Sequence, residues 1–306
     1  MDPGKGDADT AEIPLAKVLS RPLGPDTGST RVQVDIAARS DQGLVRRANE
    51  DHYLVIRLGR TLETLLTSLP RDQVPARAEE VAYGLLVADG IGGAAGGEMA
   101  SRLALSTLVG LVLHTPDWIL SDEDQDIERV MQRLADHYRR INEALYKQGL
   151  GNPKLAGMGT TMTLVGSLGA NGVIGHIGDS RAYLFRGGKL HQLTRDHTWV
   201  RIMVDLGVLS AEEAAGHPRR HMLIRSLGGQ EDNDEGDFQR VWLADGDQLL
   251  LCTDGLTNMV DDAAIASLLA GAANSTKACQ ALVNAALEKG GKDNVTVALA
   301  RYSFRR

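Results

Sequence analysis

Strand-like runs that meet across short turns limit this chain more than any other feature of its sequence. Thr160 to Leu168 and Val173 to Ile177 flank Gly169-Ala-Asn-Gly172, Ala182 to Phe185 and Lys189 to Leu193 flank Gly187-Gly188, and Phe238 to Leu243 and Gln248 to Cys252 flank Asp245-Gly246. Turns this tight join antiparallel neighbours. Apolar residues three and four apart occur in separate segments, Glu98 to Leu113, Asp126 to Lys147 and Ser275 to Glu288, which predict helices. Helices and antiparallel strands kept apart in this way read as an α+β fold.

No Gly/Ser or Pro-rich linker interrupts residues 31–303, so one continuous domain is expected there, preceded by a tail at 1–30 with a short helical stretch around Ile13 to Leu19. Two segments stand apart within the domain. Polar residues 59–80, with Pro70 and Pro75, read as a surface insertion between the strands Tyr53 to Leu58 and Tyr83 to Ala88. Residues 194–229 read as a flap, with a helix from Thr198 to Leu206 and a second opened by the capping box Ser210-x-x-Glu213.

Composition removes several function classes. With 33 basic against 40 acidic side chains the chain lacks the cationic excess of a general nucleic-acid binder. Its longest uncharged apolar stretch, Leu103 to Leu113, is too short to span a membrane, and the N-terminus has no apolar signal core. Cys252 and Cys279 are too few and too scattered for a disulfide framework or a thiolate metal site and read as small buried hydrophobes. A reducing cytoplasm is the expected compartment, and the glycosylation triplets at Asn274 and Asn294 are then chance.

The chemistry lies in where aspartates fall. The apolar run Tyr83 to Ala88 ends in Asp89-Gly90, Gln248 to Thr253 ends in Asp254-Gly255, and Val173 to Gly178 ends in Asp179-Ser180. Asp293 immediately precedes the strand Val295 to Ala300, and Glu50-Asp51 immediately precedes the strand from Tyr53. Ends and beginnings of antiparallel strands share one rim. Asp-Gly can also be plain turn chemistry, as at Asp245-Gly246, whereas Asp89-Gly90 runs into a helix and Asp254-Gly255 into a loop and then a helix, so neither closes a hairpin. Converging carboxylates about 4 Å apart repel by about 1 kcal/mol in water and about 4 kcal/mol at an effective dielectric of about 20. Either their pKa values rise or a cation binds, and an all-oxygen set favours Mg²⁺ or Mn²⁺ over Zn²⁺.

Ser40-Asp-Gln-Gly-Leu-Val-Arg46-Arg-Ala-Asn49-Glu50-Asp51, Val87-Ala-Asp89-Gly90-Ile-Gly-Gly93, Gly159-Thr160-Thr161, Gly178-Asp179-Ser180-Arg181, Asp254-Gly255 and Lys292-Asp293-Asn294 occur in the order of the motifs of the metal-dependent PP2C-type (PPM) serine/threonine protein phosphatases of bacterial type, which the chain resembles. The resemblance implies a four-layer αββα sandwich, two antiparallel β-sheets flanked by helices, with two Mn²⁺ or Mg²⁺ ions at one end and a third, weaker site. It implies Asp89 as the carboxylate shared by both ions, the Gly90 carbonyl as a ligand, Asp254 and Asp293 as further ligands, Glu50 and Asp51 as holders of metal-bound waters, Asp179 in the third site, shared with Asp254 or a flap residue, and Arg46 on the substrate phosphate. Catalysis would then rest on Arg46, Asp89 and Asp254. The implied reaction is hydrolysis of phosphoserine and phosphothreonine in proteins by a metal-activated water, without a phosphoenzyme. Ile91 departs from the histidine that many eukaryotic relatives use as general acid, leaving a metal-bound water as the candidate acid. Implied partners are phosphorylated Ser/Thr proteins and a cognate Ser/Thr kinase, with no nucleic acid, no membrane and a monomeric chain.

Two other readings compete. Gly90-Ile-Gly92-Gly-Ala-Ala95 satisfies the G-x-G-x-x-G/A fingerprint of an NAD-binding oxidoreductase, against which stand Asp89 at the mouth of the loop and the antiparallel hairpins downstream. A non-catalytic phosphoprotein-binding module of the same fold is the other, against which stand the intact Asp89, Asp254 and Asp293. His217 and His221 are four apart, but Pro218, Arg219, Arg220 and Arg225 surround them, so both read as surface histidines.

Overall fold

Unbroken apolar runs such as Leu85 to Ala88 and Leu249 to Cys252 need cover on both faces, and the computed structural model supplies it with two sheets packed face to face between two helical layers. The structure describes residues 31–70, 73–114, 124–229 and 236–305. The tail at 1–30 and its helical stretch lie outside the described residues.

The strands are β1 (Arg31–Asp41), β2 (His52–Glu63), β3 (Arg77–Ala88), β4 (Gly90–Ile91), β5 (Gly159–Thr160), β6 (Met162–Leu168), β7 (Asn171–Ile177), β8 (Arg181–Arg186), β9 (Lys189–Gln192), β10 (Asp237–Trp242), β11 (Gln248–Cys252) and β12 (Val295–Arg305). The helices are α1 (Ala94–Leu113), α2 (Asp124–Gly151), α3 (Trp199–Asp205), α4 (Ala211–Gly216), α5 (Asp254–Thr257), α6 (Asp262–Gly271) and α7 (Ser275–Glu288). One sheet runs β1-β12-β11-β8-β9 and the other β10-β7-β6-β3-β2, with every pairing antiparallel.

Strand alternation divides the core into three layers. On β3, Leu85 and Val87 meet Leu184 of β8, Leu249 and Leu251 of β11 and Ala298 of β12 between the sheets. Leu86 of the same strand faces the other way, toward Leu108 of α1 and Tyr138 and Ile141 of α2. Leu250 and Leu299 likewise face Ile265 of α6 and Leu282 of α7. Cys252 and Cys279 are both buried and free, as the small hydrophobes the sequence predicts.

Antiparallel order throughout overturns the dinucleotide-binding reading. Gly90 and Ile91 pair antiparallel with Thr160 and Gly159, and no parallel βαβ unit is present among the described residues. The expected hairpin across Asp245-Gly246 is also corrected: β10 belongs to one sheet and β11 to the other. Here the turn carries the chain between sheets, because Gly246 and Asp247 hydrogen-bond to Tyr302 on β12 rather than joining β10 to β11 in a hairpin ladder. The segment 59–80 is in part an extension of one hairpin, paired as far as Glu63 with Arg77. Its exposed strands need no apolar alternation, which hid them in the sequence.

The flap expected over 194–229 contains α3, capped by Thr198, and α4, whose Ser210–Glu213 capping box is formed in both directions. An isolated bridge from Thr198 to Leu223 closes the flap on its own start, and another from Thr160 to Leu227 ties its return to the body. None of the described helices is long and apolar enough to cross a membrane.

Candidate metal centre

Register explains why distant aspartates meet. His52, which opens β2, pairs with Ala88 at the end of β3, and Cys252 at the end of β11 pairs with Arg181 and Val297 at the starts of β8 and β12. Asp51, Asp89, Asp179, Asp254 and Asp293 each lie within two residues of one of these ends, so the two sheets deliver them to one rim.

Each carboxylate has its own support. Asp51 is buried, and its Oδ2 accepts a 2.8 Å hydrogen bond from Thr253. Asp89 is gripped through its backbone: its N–H donates to Thr161 Oγ1 at 3.0 Å, and its carbonyl accepts from Thr161 N at 2.9 Å and Thr160 Oγ1 at 2.7 Å. Thr161 Oγ1 lies 2.8 Å from Ser180 Oγ, beside Asp179, so this pair of threonines links two strand-end aspartates. Asp254 opens α5 itself, without the loop that its sequence suggests, and its Oδ2 accepts from Asn258 at 2.9 Å. Asp293 Oδ2 accepts from Arg46 at 2.6 Å. Gly90 has no room for a side chain, since a Cβ there would lie 2.1 Å from the Gly97 carbonyl. Glu50 stands farther out, its carboxylate against Gly97 in the first turn of α1.

The electrostatics are those of a cluster short of positive charge. Desolvation, then the neighbouring charges of Asp51, Asp254, Asp179 and Asp293, push the Asp89 carboxyl well above the usual range. Asp51 is pushed up to about 7, first by burial, against the stabilising Thr253 bond and with Asp254 and Asp293 adding to it. Burial followed by Asp254 raises Asp179 too. Asp51 Oδ1 is buried with no hydrogen-bond partner among the described residues. An orphaned carboxylate oxygen amid like charges fits a hard divalent cation, and the oxygen donors fit Mg²⁺ or Mn²⁺.

His221 corrects its reading as a plain surface histidine. The return of the flap brings its Nδ1 to 3.5 Å from Asp254 Oδ2, and Asp179, His221 and Asp254 each offer a ligand atom within 4.8 Å of the others. His217 stays away from the rim, stacked on Trp199 at 5.1 Å.

The order of these residues along the chain and their meeting at one rim of an αββα sandwich agree with a family match: the protein phosphatase 2C family model covers residues 68–289. The chain belongs to the protein phosphatase 2C family. It is 37% identical over 265 residues to the serine/threonine protein phosphatase PstP of Mycobacterium tuberculosis, covering 86% of this chain and 44% of that protein. The chain therefore spans less than half the length of that relative. Protein phosphatase PhpP of Streptococcus pneumoniae is 33% identical over 269 residues, 87% of this chain and 96% of that protein. Among solved structures, the catalytic domain of the serine/threonine protein phosphatase PstP in complex with two manganese ions superposes with a TM-score of 0.70 at 34% identity, over 89% of this chain and all of that one.

Within this phosphatase 2C chain, several supporting residues carry no chemistry of their own and escape sequence reasoning. Asn294 is buried; its side chain accepts from Glu50 N at 2.9 Å and donates to the carbonyls of Gln42 at 2.8 Å and Ala48 at 2.9 Å. It thereby fastens the Arg46 loop to the start of β12. That burial also disposes of Asn294 as a glycosylation acceptor.

Proposed function

We propose that this chain hydrolyses phosphoserine and phosphothreonine in proteins in the presence of two Mn²⁺ or Mg²⁺ ions. The observation that carries the reading is the meeting of Asp51, Asp179, Asp254 and Asp293 about Asp89, with one Asp51 carboxylate oxygen buried and unpaired, beside the half-exposed guanidinium of Arg46. Asp89, the Gly90 carbonyl, Asp254 and Asp293 would hold the two ions, Asp51 and Glu50 would hold their water shell, and Asp179 would serve a weaker third position, where His221 also stands. The ions would supply an activated water and neutralise phosphoryl charge.

The chain's own groups account for the rest. Arg46 is a planar fork able to take two phosphate oxygens at once, and its exposure leaves it within reach of a phosphoryl group arriving from solvent. The Thr160–Thr161 grip holds Asp89 in place without using its carboxylate, which leaves both carboxylate oxygens for ligands. Phosphorylated Ser/Thr proteins are the proposed substrates, and the Ser/Thr kinase that makes them is the proposed functional counterpart.

Release of inorganic phosphate from a phosphothreonine peptide, followed with Mn²⁺ and with excess chelator, tests the reading. Turnover that needs Mn²⁺ and stops in chelator is expected. Turnover indifferent to chelator, or absent at every Mn²⁺ concentration, would overturn it and favour the non-catalytic binding module.

A further inference from the structure

Gly178, which sets the direction of Asp179, cannot carry a side chain to fix itself. Its φ is 110°, and a Cβ would lie 2.5 Å from Thr161 Cβ. The fixing comes from His197, at the entry of the flap. His197 N donates to Gly178 O at 2.7 Å, and Gly178 N donates to His197 Nδ1 at 3.1 Å. An Nδ1 that accepts must be unprotonated, so the neutral ring carries its proton on Nε2, which faces Asp237 Oδ2 at 3.1 Å. The ring is buried and lies 4.8 Å from that of His176. His176 Nδ1 is in turn 2.9 Å from Thr163 Oγ1, which reaches the Ser180 carbonyl at 3.1 Å. Both chain neighbours of Asp179 are thus held by one buried group of side chains.

The same histidine holds the flap. Its carbonyl accepts from Ile224 N at 2.9 Å, and two residues on Trp199 N donates to Met222 O at 2.8 Å. These bonds fix the return segment that carries His221 to Asp254. We infer that His197 is a positioning residue that sets Asp179 through the Gly178 backbone and couples it to the flap, with Asp237 selecting the ring tautomer. The inference rests on the reading of Asp179 as a cation ligand.

Calorimetric titration of the full chain with Mn²⁺ alone, together with hydrogen exchange of the Gly178 amide, tests it in four variants. In His197→Asn the side-chain carbonyl stands where Nδ1 stood and keeps the Gly178 bond, whereas in His197→Gln the amide reaches toward Asp237 and loses it. His197→Asn is expected to bind within about 3-fold of the parent at the weakest class of sites, and His197→Gln to lose about 10-fold there and to exchange the Gly178 amide faster. Asp237→Ala, a change at a half-exposed side chain, is expected to shift both readouts in the same direction as His197→Gln. Equal loss in the Asn and Gln variants would mean a packing role only and would overturn the inference. An unchanged Gln variant beside a weakened Asp179→Asn would overturn it while leaving Asp179 as a ligand. Weak-site binding unchanged in Asp179→Asn would remove the reading of Asp179 itself, and the inference with it.

Discussion

Arg46 and Asp293, 247 positions apart in sequence, are joined by a hydrogen bond of 2.6 Å between the guanidinium and the carboxylate. The bond to Asp293 raises the arginine pKa further, so the group is a permanent cation at the edge of an acidic rim. The loop beneath is fixed by Gly291, whose carbonyl accepts from Leu44 N at 2.7 Å. Arg46→Ala should therefore leave the backbone in place and remove only the charged fork. A charge-assisted hydrogen bond contributes about 1.5–3 kcal/mol, so KM for a phosphopeptide is expected to rise by about 10-fold or more, with a smaller change in kcat. Steady-state kinetics check this, and an unchanged KM would contradict it.

Asp89→Asn keeps the backbone bonds to Thr160 and Thr161 and removes the ionisable carboxyl that faces four other carboxylates. Turnover is expected to fall by about three orders of magnitude, the scale of losing several kcal/mol of transition-state stabilisation. Relief of like-charge repulsion should leave the thermal midpoint of the chelated protein unchanged or raised. A variant that turns over at the parent rate would remove Asp89 from the site.

The raised carboxyls give a pH dependence of known sign. Asp51 holds its proton up to about 7 in the folded chain, whereas an unfolded aspartate releases it near about 3.9. The folded state therefore binds more protons between these values. Its stabilisation is complete below the lower value and is lost as pH rises through the upper one. Asp89 and Asp179 shift in the same direction. In chelator the thermal midpoint is expected to fall from about pH 5 to about pH 8, and saturating Mn²⁺ should remove that fall by replacing the protons. A midpoint that rises over this interval in chelator would contradict the cluster's electrostatics.

Asp247, buried where the chain crosses between sheets, accepts from Arg186 at 2.8 and 2.6 Å and from Ala244 N at 2.7 Å. Asp247→Ala leaves the guanidinium without its counterion and frees the turn. A loss of about 3–5 kcal/mol in urea unfolding is expected. A loss under about 1 kcal/mol would mean that other contacts fix the crossing.

The strand-end aspartates were legible because position along an antiparallel strand determines which rim a residue reaches, and Asp89, Asp254 and Asp293 each border an apolar run. The crossing at Asp245-Gly246 was not, because the same dipeptide serves a hairpin and a change of sheet. What separates them is the bond from Gly246 to Tyr302, remote in sequence. His221 was hidden for a related reason: its neighbours Arg219 and Arg220 argue against a cation nearby, and only the folded return of the flap carries it to Asp254. Thr161 and Asn294 lie within the motifs but show no role in the sequence, since backbone-fastening leaves no chemical signature in the side chain.

A crystal grown in Mn²⁺, with diffraction measured at the manganese absorption edge, tests the central claim most directly. The expected result is two anomalous peaks sharing the Asp89 carboxylate, with Asp254 and Asp293 among their ligands. A map with no peak within coordination distance of Asp89 would contradict it.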